Sequence, residues 1–322
     1  MRAIDRRRAL LGVASVAVGA VGSLGSLSAC KREGSAPEAR DQDQDQDRGQ
    51  GQASEAGWKE LSFDPGPDAP EGQKALVFTT PNARDLPMLI ALHGRGESGR
   101  GLDVGARGWR DDYRIGRLID RLKSPPLTTK DLFNTISRER LARLNASLQK
   151  EPFRGLSLVC PYTPDLPDKS PAGAAGFGRF VVDKLIPQAR GITGTRPDRS
   201  VTGIDGVSMG GRLALLVGLS RPDIFGAVGA LQPALKPSEG PMISELARAA
   251  MDKFPLELRL VSSEADPFLP AVRAVSDRLR ADGVVHELLI AQGNHDYDWN
   301  RGPGGAEMLL WHERVLRGIR PP

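Results

Sequence analysis

From Trp58 onward, short apolar runs alternate with longer amphipathic ones. Seven runs read as strands: Ala75–Phe78, Met88–Leu92, Leu156–Cys160, Val201–Val207, Gly226–Leu231, Leu256–Ser262 and His286–Ala291. Apolar residues at helical spacing mark Phe177–Gln188, Arg212–Leu219, Ile243–Met251, Ala271–Leu279 and Glu307–Leu316. Strands that alternate with helices of this length predict βαβ units and a mostly parallel sheet. Strands that are apolar throughout predict a sheet covered by helices on both faces. The fold class is therefore α/β. Residues 100–154 break the rhythm. They carry many charges and no clear strand, with helical patterns at Ile115–Leu122 and Ser137–Leu148 on either side of Pro125-Pro126. They read as a cap-like insertion beside the site that the sheet presents.

The first 57 residues have a different character. Arg6-Arg7-Arg8 precede an uncharged stretch of small and apolar residues from Ala9 to Leu27, and Leu27-Ser28-Ala29-Cys30 closes it. This pattern predicts an export signal over residues 1–29 that resembles a bacterial lipoprotein signal, with Cys30 as the acylated residue. The consecutive arginines also partly resemble a twin-arginine signal, so the export route stays open. The alternative is a spanning anchor, but a run so rich in Gly, Ala and Ser inserts weakly. Residues 30–57, with Asp41-Gln42-Asp43-Gln44-Asp45-Gln46-Asp47, contain nothing that can build a core and read as a disordered tether. The expected organisation is signal, tether and one domain over 58–322, held at the bacterial cell envelope, in the periplasm or at the cell surface, by a lipid on Cys30.

Composition changes little in this picture. The chain of 322 residues is 39% hydrophobic, with 37 Gly and 25 Pro, which fits one large turn-rich domain. The net charge is +4, and Arg2, Arg6, Arg7 and Arg8 against Asp5 supply three of those charges. The remaining Lys and Arg are mixed with Asp and Glu, so nucleic acid is not an expected partner. Of the two cysteines, Cys160 sits inside an apolar run and reads as a small buried hydrophobe. A disulfide between Cys30 and Cys160 is not expected. The four histidines are scattered, and no Cys/His cluster has metal-ligand spacing, so no metal site is expected.

The chemistry begins at Gly206-Val207-Ser208-Met209-Gly210. Gly-x-Ser-x-Gly alone is a weak signal, since this Gly and Ser content yields roughly 0.3 chance matches. The context strengthens it. An apolar strand leads in and a helical pattern leads out, which is the strand–turn–helix of a nucleophile elbow. A hydroxyl needs a base to remove its proton, and His295 in Gln292-Gly293-Asn294-His295-Asp296 follows the last strand. The base in turn needs an orienting carboxylate. Asp266 follows an earlier strand, with Glu264 in the same loop as an alternative. Asp296 and Asp298 read as loop-shaping residues, and His286 and His312 as structural ones. The turn His93-Gly94-Arg95-Gly96 can aim a backbone N–H at a developing oxyanion, beside the N–H of Met209. Arg95 is the favoured donor, Gly96 the next, and His93 reads as a support for the turn.

Three passages resemble the "Putative esterase" (esterase D-like) family of α/β-hydrolases. They are Leu92-His93-Gly94-Arg95-Gly96-Glu97-Ser98, the segment Gly206-Val207-Ser208-Met209-Gly210-Gly211 with Pro222-Asp223-Ile224-Phe225-Gly226-Ala227-Val228, and Gly293-Asn294-His295-Asp296. The likeness spans roughly residues 70–318, and residues 100–154 have no counterpart in it. That family includes S-formylglutathione hydrolases, enterochelin and feruloyl esterases, acetylxylan esterases and mycolyltransferases. The resemblance implies an α/β-hydrolase fold, a triad of Ser208, Asp266 and His295, and no cofactor. The expected activity is exported carboxylic ester hydrolysis through an acyl-enzyme, on a small-molecule, glycan or lipid ester. Acyl transfer to envelope glycans or lipids, peptide hydrolysis on the same fold, and a non-catalytic surface lipoprotein are the alternatives.

Overall fold

The seven strands expected from the apolar runs lie side by side in one eight-stranded sheet, which Trp58–Phe63 completes at one edge. The computed structural model of the chain describes residues 57–80 and 85–322. The expected export signal, Cys30 and all of the expected tether except Gly57 lie outside the described residues. The strands are β1 (Trp58–Phe63), β2 (Gln73–Phe78), β3 (Met88–Leu92), β4 (Ser157–Pro161), β5 (Thr202–Gly206), β6 (Ala227–Leu231), β7 (Glu257–Ser263) and β8 (Glu287–Ala291). β1 pairs antiparallel with β2, and β2 pairs antiparallel with β4. The other pairings are parallel, and the order across the sheet is β1-β2-β4-β3-β5-β6-β7-β8.

Alternate residues of each strand enter different cores. Val77, Ile90 and Val159 pack with Phe177, Leu213, Ile243 and Val272. Their neighbours Leu76, Leu89 and Leu158 pack with Leu118, Leu144 and Leu309 on the opposite face. The period-2 geometry of a strand thus divides an all-apolar run between two helical layers. One layer contains α6 (Pro171–Arg179), α7 (Ile186–Thr193), α8 (Met209–Ser220), α9 (Gly240–Met251) and α10 (Leu269–Ala281). A π turn over Phe180–Leu185 joins α6 to α7 and ends just before Pro187, whose missing N–H cannot continue the α ladder.

Three short helices follow β3: α1 (Arg95–Ser98), α2 (Leu102–Gly105) and α3 (Gly108–Asp111). The opposite layer contains α4 (Ile115–Lys123), α5 (Arg138–Lys150) and, after the three-residue α11 (Tyr297–Trp299), α12 (Gly305–Val315). Residues 100–154 were expected as a cap-like insertion beside the site. Instead α4 and α5 are part of the layer that closes one face of the sheet, with Leu118, Ile119, Leu144 and Leu148 in its core. The charges that disguised this role are partly internal. Arg140 of α5 and Arg259 of β7 converge on the buried Glu307 of α12, at 2.5 and 2.8 Å. Burial opposes the charge of Glu307, yet the two guanidinium groups hold its carboxyl below the ordinary range.

The strand order fixes where a site can form. The chain leaves β3 toward one side of the sheet, to β4, and leaves β5 toward the other, to β6. A crevice opens at the carboxyl ends of β3 and β5, the topological switch point at which open α/β sheets bind ligands. The turn at His93 and the elbow at Ser208 both begin there.

Candidate active site

β5 delivers the chain to Ser208 and α8 carries it away. Ser208 has φ 56° and ψ −116°, a left-handed conformation that costs a non-glycine residue strain. The surroundings hold it in place. The Val207 N–H donates to Leu92 O at 3.0 Å, the Ser208 N–H donates to Leu231 O at 2.9 Å, and Ser208 O accepts from the Ala234 N–H at 2.9 Å. The turn is tight enough to demand glycine. A Cβ on Gly206 would stand 2.6 Å from the Gly210 carbonyl, and one on Gly210 would stand 2.5 Å from His93 O. The Ser208 hydroxyl does not cap α8, so it remains available for chemistry.

Asp205, the residue before the elbow, is buried. Its carboxylate accepts from the Gly206 N–H at 2.7 Å and pairs with His312 Nε2 at 2.9 Å. His312 is therefore a support under the elbow, in line with its structural reading. His286 bonds Ser276 Oγ and Val284 O, away from Ser208.

Asp266 and His295 come together as the sequence anticipated. Asp266 follows β7 and its side chain is fully buried. Oδ1 accepts from the Phe268 N–H at 2.9 Å and pairs with His295 Nδ1 at 2.9 Å, while Oδ2 accepts from Ser262 Oγ at 2.5 Å. With Nδ1–H committed to Asp266, the lone pair of neutral His295 is on Nε2. Glu264, the alternative acid, is exposed, and its backbone N–H is bonded to Ala291 O. Asp296 accepts from the Trp299 N–H and shapes the loop as expected. Phe268 joins the two halves of the site. Its ring stands 5.4 Å from the His295 ring, and it lines the same cavity as Ser208.

The turn after β3 lies against the elbow, where a Cβ on Gly94 would be 3.8 Å from that of Ser208. Arg95 and Gly96 open α1 and Met209 opens α8, so their N–H groups have no partner one turn earlier. Arg95 also lines the cavity beside Ser208 and Met209, and its side chain pairs with Asp165 at 2.9 Å. His93 is wholly buried. It receives the Thr163 N–H on Nε2 at 2.8 Å and bonds Gly94 O through Nδ1 at 2.9 Å. Burial pushes its pKa down to about 4, so the ring is a neutral brace.

The cavity at Ser208 measures about 370 Å³, within the size range of small-molecule sites. Buried Ala174, Leu213 and Leu216 form apolar wall, with Leu166, Ala234 and Phe268 alongside. Arg95, Asp165, Lys169, Arg212, Lys236 and Glu239 bring charge to it. Lys169 first, then Arg95, hold Asp165 below its ordinary pKa, and Arg212 pairs with Glu239.

Sequence reasoning missed several residues. Gln232, just after β6, has φ 42° and donates through Nε2 to Ser263 Oγ at 2.6 Å and to Asn294 O at 2.7 Å. It thereby fixes the residue before His295. Glu97, Tyr113 and Tyr297 form a second cluster. The tyrosines carried a signal, because the chain has only three and all of them meet this region. The third, Tyr162, bonds Ser98 O and packs on His93.

A strained serine at the carboxyl end of a mostly parallel sheet, with an Asp–His pair beyond later strands, is the arrangement of α/β-hydrolases. Residues 162–304 match the model of the family described as "Putative esterase". An iron(III) enterobactin esterase from Dickeya dadantii (strain 3937) is 28% identical over a 163-residue alignment, which covers 45% of this chain. The chain spans about a third of that relative's length, 35%. A ferulic acid esterase structure superposes with a TM-score of 0.59 at 15% identity, over 80% of this chain and 98% of that one. The S-formylglutathione hydrolase of Staphylococcus aureus gives 0.56 at 14% identity, over the same shares. At these identities the two structures share the fold with this chain.

Proposed function

We propose that this chain is an exported, lipid-tethered enzyme that cleaves carboxylic esters through an acyl-enzyme on Ser208. The observation that carries the mechanism is the 2.9 Å pairing of His295 Nδ1 with buried Asp266, which directs Nε2 to act as base. Ser208 Oγ attacks the ester carbonyl while His295 Nε2 takes its proton. The N–H groups of Met209 and of Arg95, with Gly96 close by, receive the oxyanion. His295 then passes the proton to the leaving alcohol, and Asp266 stabilises the imidazolium. Water, activated by the same imidazole, attacks the acyl-enzyme and restores Ser208. A fluorophosphonate probe is expected to label Ser208 once per chain and to abolish ester hydrolysis in proportion. A labelled protein that keeps its turnover, or label on another residue, refutes this mechanism.

The cavity supports an ester of small-molecule size with an apolar body and a polar end, since buried leucines and ion-paired side chains line it together. Hydrolysis is favoured over transfer only by resemblance to the esterases above, so acceptor competition with sugar alcohols is the companion measurement.

Export rests on the sequence pattern of residues 1–29 and Cys30, with residues 30–57 as tether and 58–322 as catalytic domain. Cys30→Ser is expected to abolish incorporation of a labelled fatty acid into the protein with kcat unchanged. A Cys30→Ser protein that still takes up the label argues against a lipid anchor at this residue.

A further inference from the structure

Glu97 stands on the third residue of α1, in the turn that carries Arg95 and Gly96, and is only 1% exposed. Each of its carboxylate oxygens holds a tyrosine. Oε2 accepts from Tyr113 Oη at 2.7 Å, and that oxygen in turn accepts from the Gly94 N–H at 3.3 Å. Oε1 accepts from Tyr297 Oη at 2.5 Å. Tyr297 is two residues beyond His295, and a Cβ on Gly96 would stand 3.3 Å from its hydroxyl. The nearest cation, Arg100, is 3.9 Å from Oε1 and is bound mainly to Asp112.

A buried carboxylate loses hydration that an apolar residue would never have needed. Pure packing does not account for it here. Short O–H···O⁻ bonds offset that loss and carry geometric information, because each fixes a donor to within a few tenths of an ångström. Burial first, then Glu97, raises the pKa of both phenols, so each remains a donor through the working pH range. The two donors reach Glu97 from different parts of the chain: Tyr113, between α3 and α4, also receives the Gly94 N–H of the oxyanion turn, and Tyr297 belongs to the base loop. Tyr113 and Tyr297 also pack together, with ring centroids 5.5 Å apart.

We propose that Glu97 is a positioning residue that clasps the oxyanion turn to the His295 loop through Tyr113 and Tyr297. It holds the separation between the oxyanion donors and the base constant through turnover. The proposal rests on the reading of Ser208 and His295 as nucleophile and base.

Glu97→Gln and Tyr297→Phe, alone and combined in the full chain, test the clasp. Active sites are titrated with a fluorophosphonate, and kcat and KM are measured on p-nitrophenyl acetate. The Glu97→Gln change sets an amide donor against a phenol donor, and Tyr297→Phe removes a single hydroxyl from a partly exposed ring. Either change is expected to lower kcat about ten- to a hundred-fold, the scale of ångström-level misplacement of reacting groups, with KM within about twofold. The double variant is expected to lose no more than the less active single, because both changes cut the Glu97–Tyr297 connection. A wild-type kcat per titrated site with only a lower Tm, a loss carried by KM, or losses that multiply in the double variant overturns the clasp. Ser208→Ala, measured alongside, separates the two readings. If it retains turnover, the catalytic assignment has failed, whatever Glu97 does.

Discussion

Ser208→Ala is expected to lower kcat/KM on p-nitrophenyl acetate by about 10⁵- to 10⁶-fold, the scale seen when a triad nucleophile is removed. Covalent capture by a fluorophosphonate should vanish with it. The reason lies in the elbow. Its strained backbone, the close approach of Gly206 and Gly210, and the bonds to Leu92, Leu231 and Ala234 hold the oxygen of residue 208 in place. Among the described residues lining the cavity, Ser208 carries the one hydroxyl, so no substitute nucleophile should take over. The fold should survive, because the Ser208 side chain caps no helix and its backbone bonds are indifferent to the loss of Oγ. Circular dichroism and thermal melting should therefore match the parent within a few degrees. Residual turnover above about a hundredth of the parent would place the chemistry on another residue.

The elbow was legible because every requirement on it is local. Strand, turn glycines, serine and helix follow one another within twenty residues, and the boundaries of β3 at Met88–Leu92 came directly from a run of five apolar residues. β1 escaped for the opposite reason. Trp58-Lys59-Glu60-Leu61-Ser62-Phe63 is an edge strand with one partner and exposed lysine and glutamate, so no apolar run marks it. Residues 100–154 misled through their charges. Leu118, Leu144 and their neighbours supply the apolar stripe, but Arg140 reads as solvated until Glu307, 167 residues away, is seen beneath it. The Glu97 cluster shows the same limit more sharply, since its two hydrogen bonds span 16 and 200 residues. Spacing within a motif cannot report such a contact. Its traces in the chain were the scarcity of tyrosine and the place of Glu97 in the passage 92–98.

Asp266→Asn is expected to cost about 10³- to 10⁴-fold in kcat, which places it second among these substitutions. Three donors converge on the carboxylate: Ser262 Oγ, the Phe268 N–H and His295 Nδ1. An amide can keep its oxygen toward Phe268 and His295 and turn its NH₂ toward Ser262, whose hydroxyl can rotate to accept. Packing should therefore hold and Tm should fall by only a few degrees. The negative charge is lost. In the parent, a buried carboxylate faces the imidazolium that forms as Ser208 Oγ gives up its proton. Without it, that imidazolium develops in a site with no counter-charge at Nδ1, and proton transfer becomes steeply uphill. The loss should fall on acylation and deacylation alike, because His295 is protonated in both. Glu264→Gln is the matched comparison. Its side chain is exposed one residue past β7, so kcat should stay within about twofold of the parent. The reverse ranking, with Glu264→Gln inactive and Asp266→Asn active, would move the acid of the triad to residue 264.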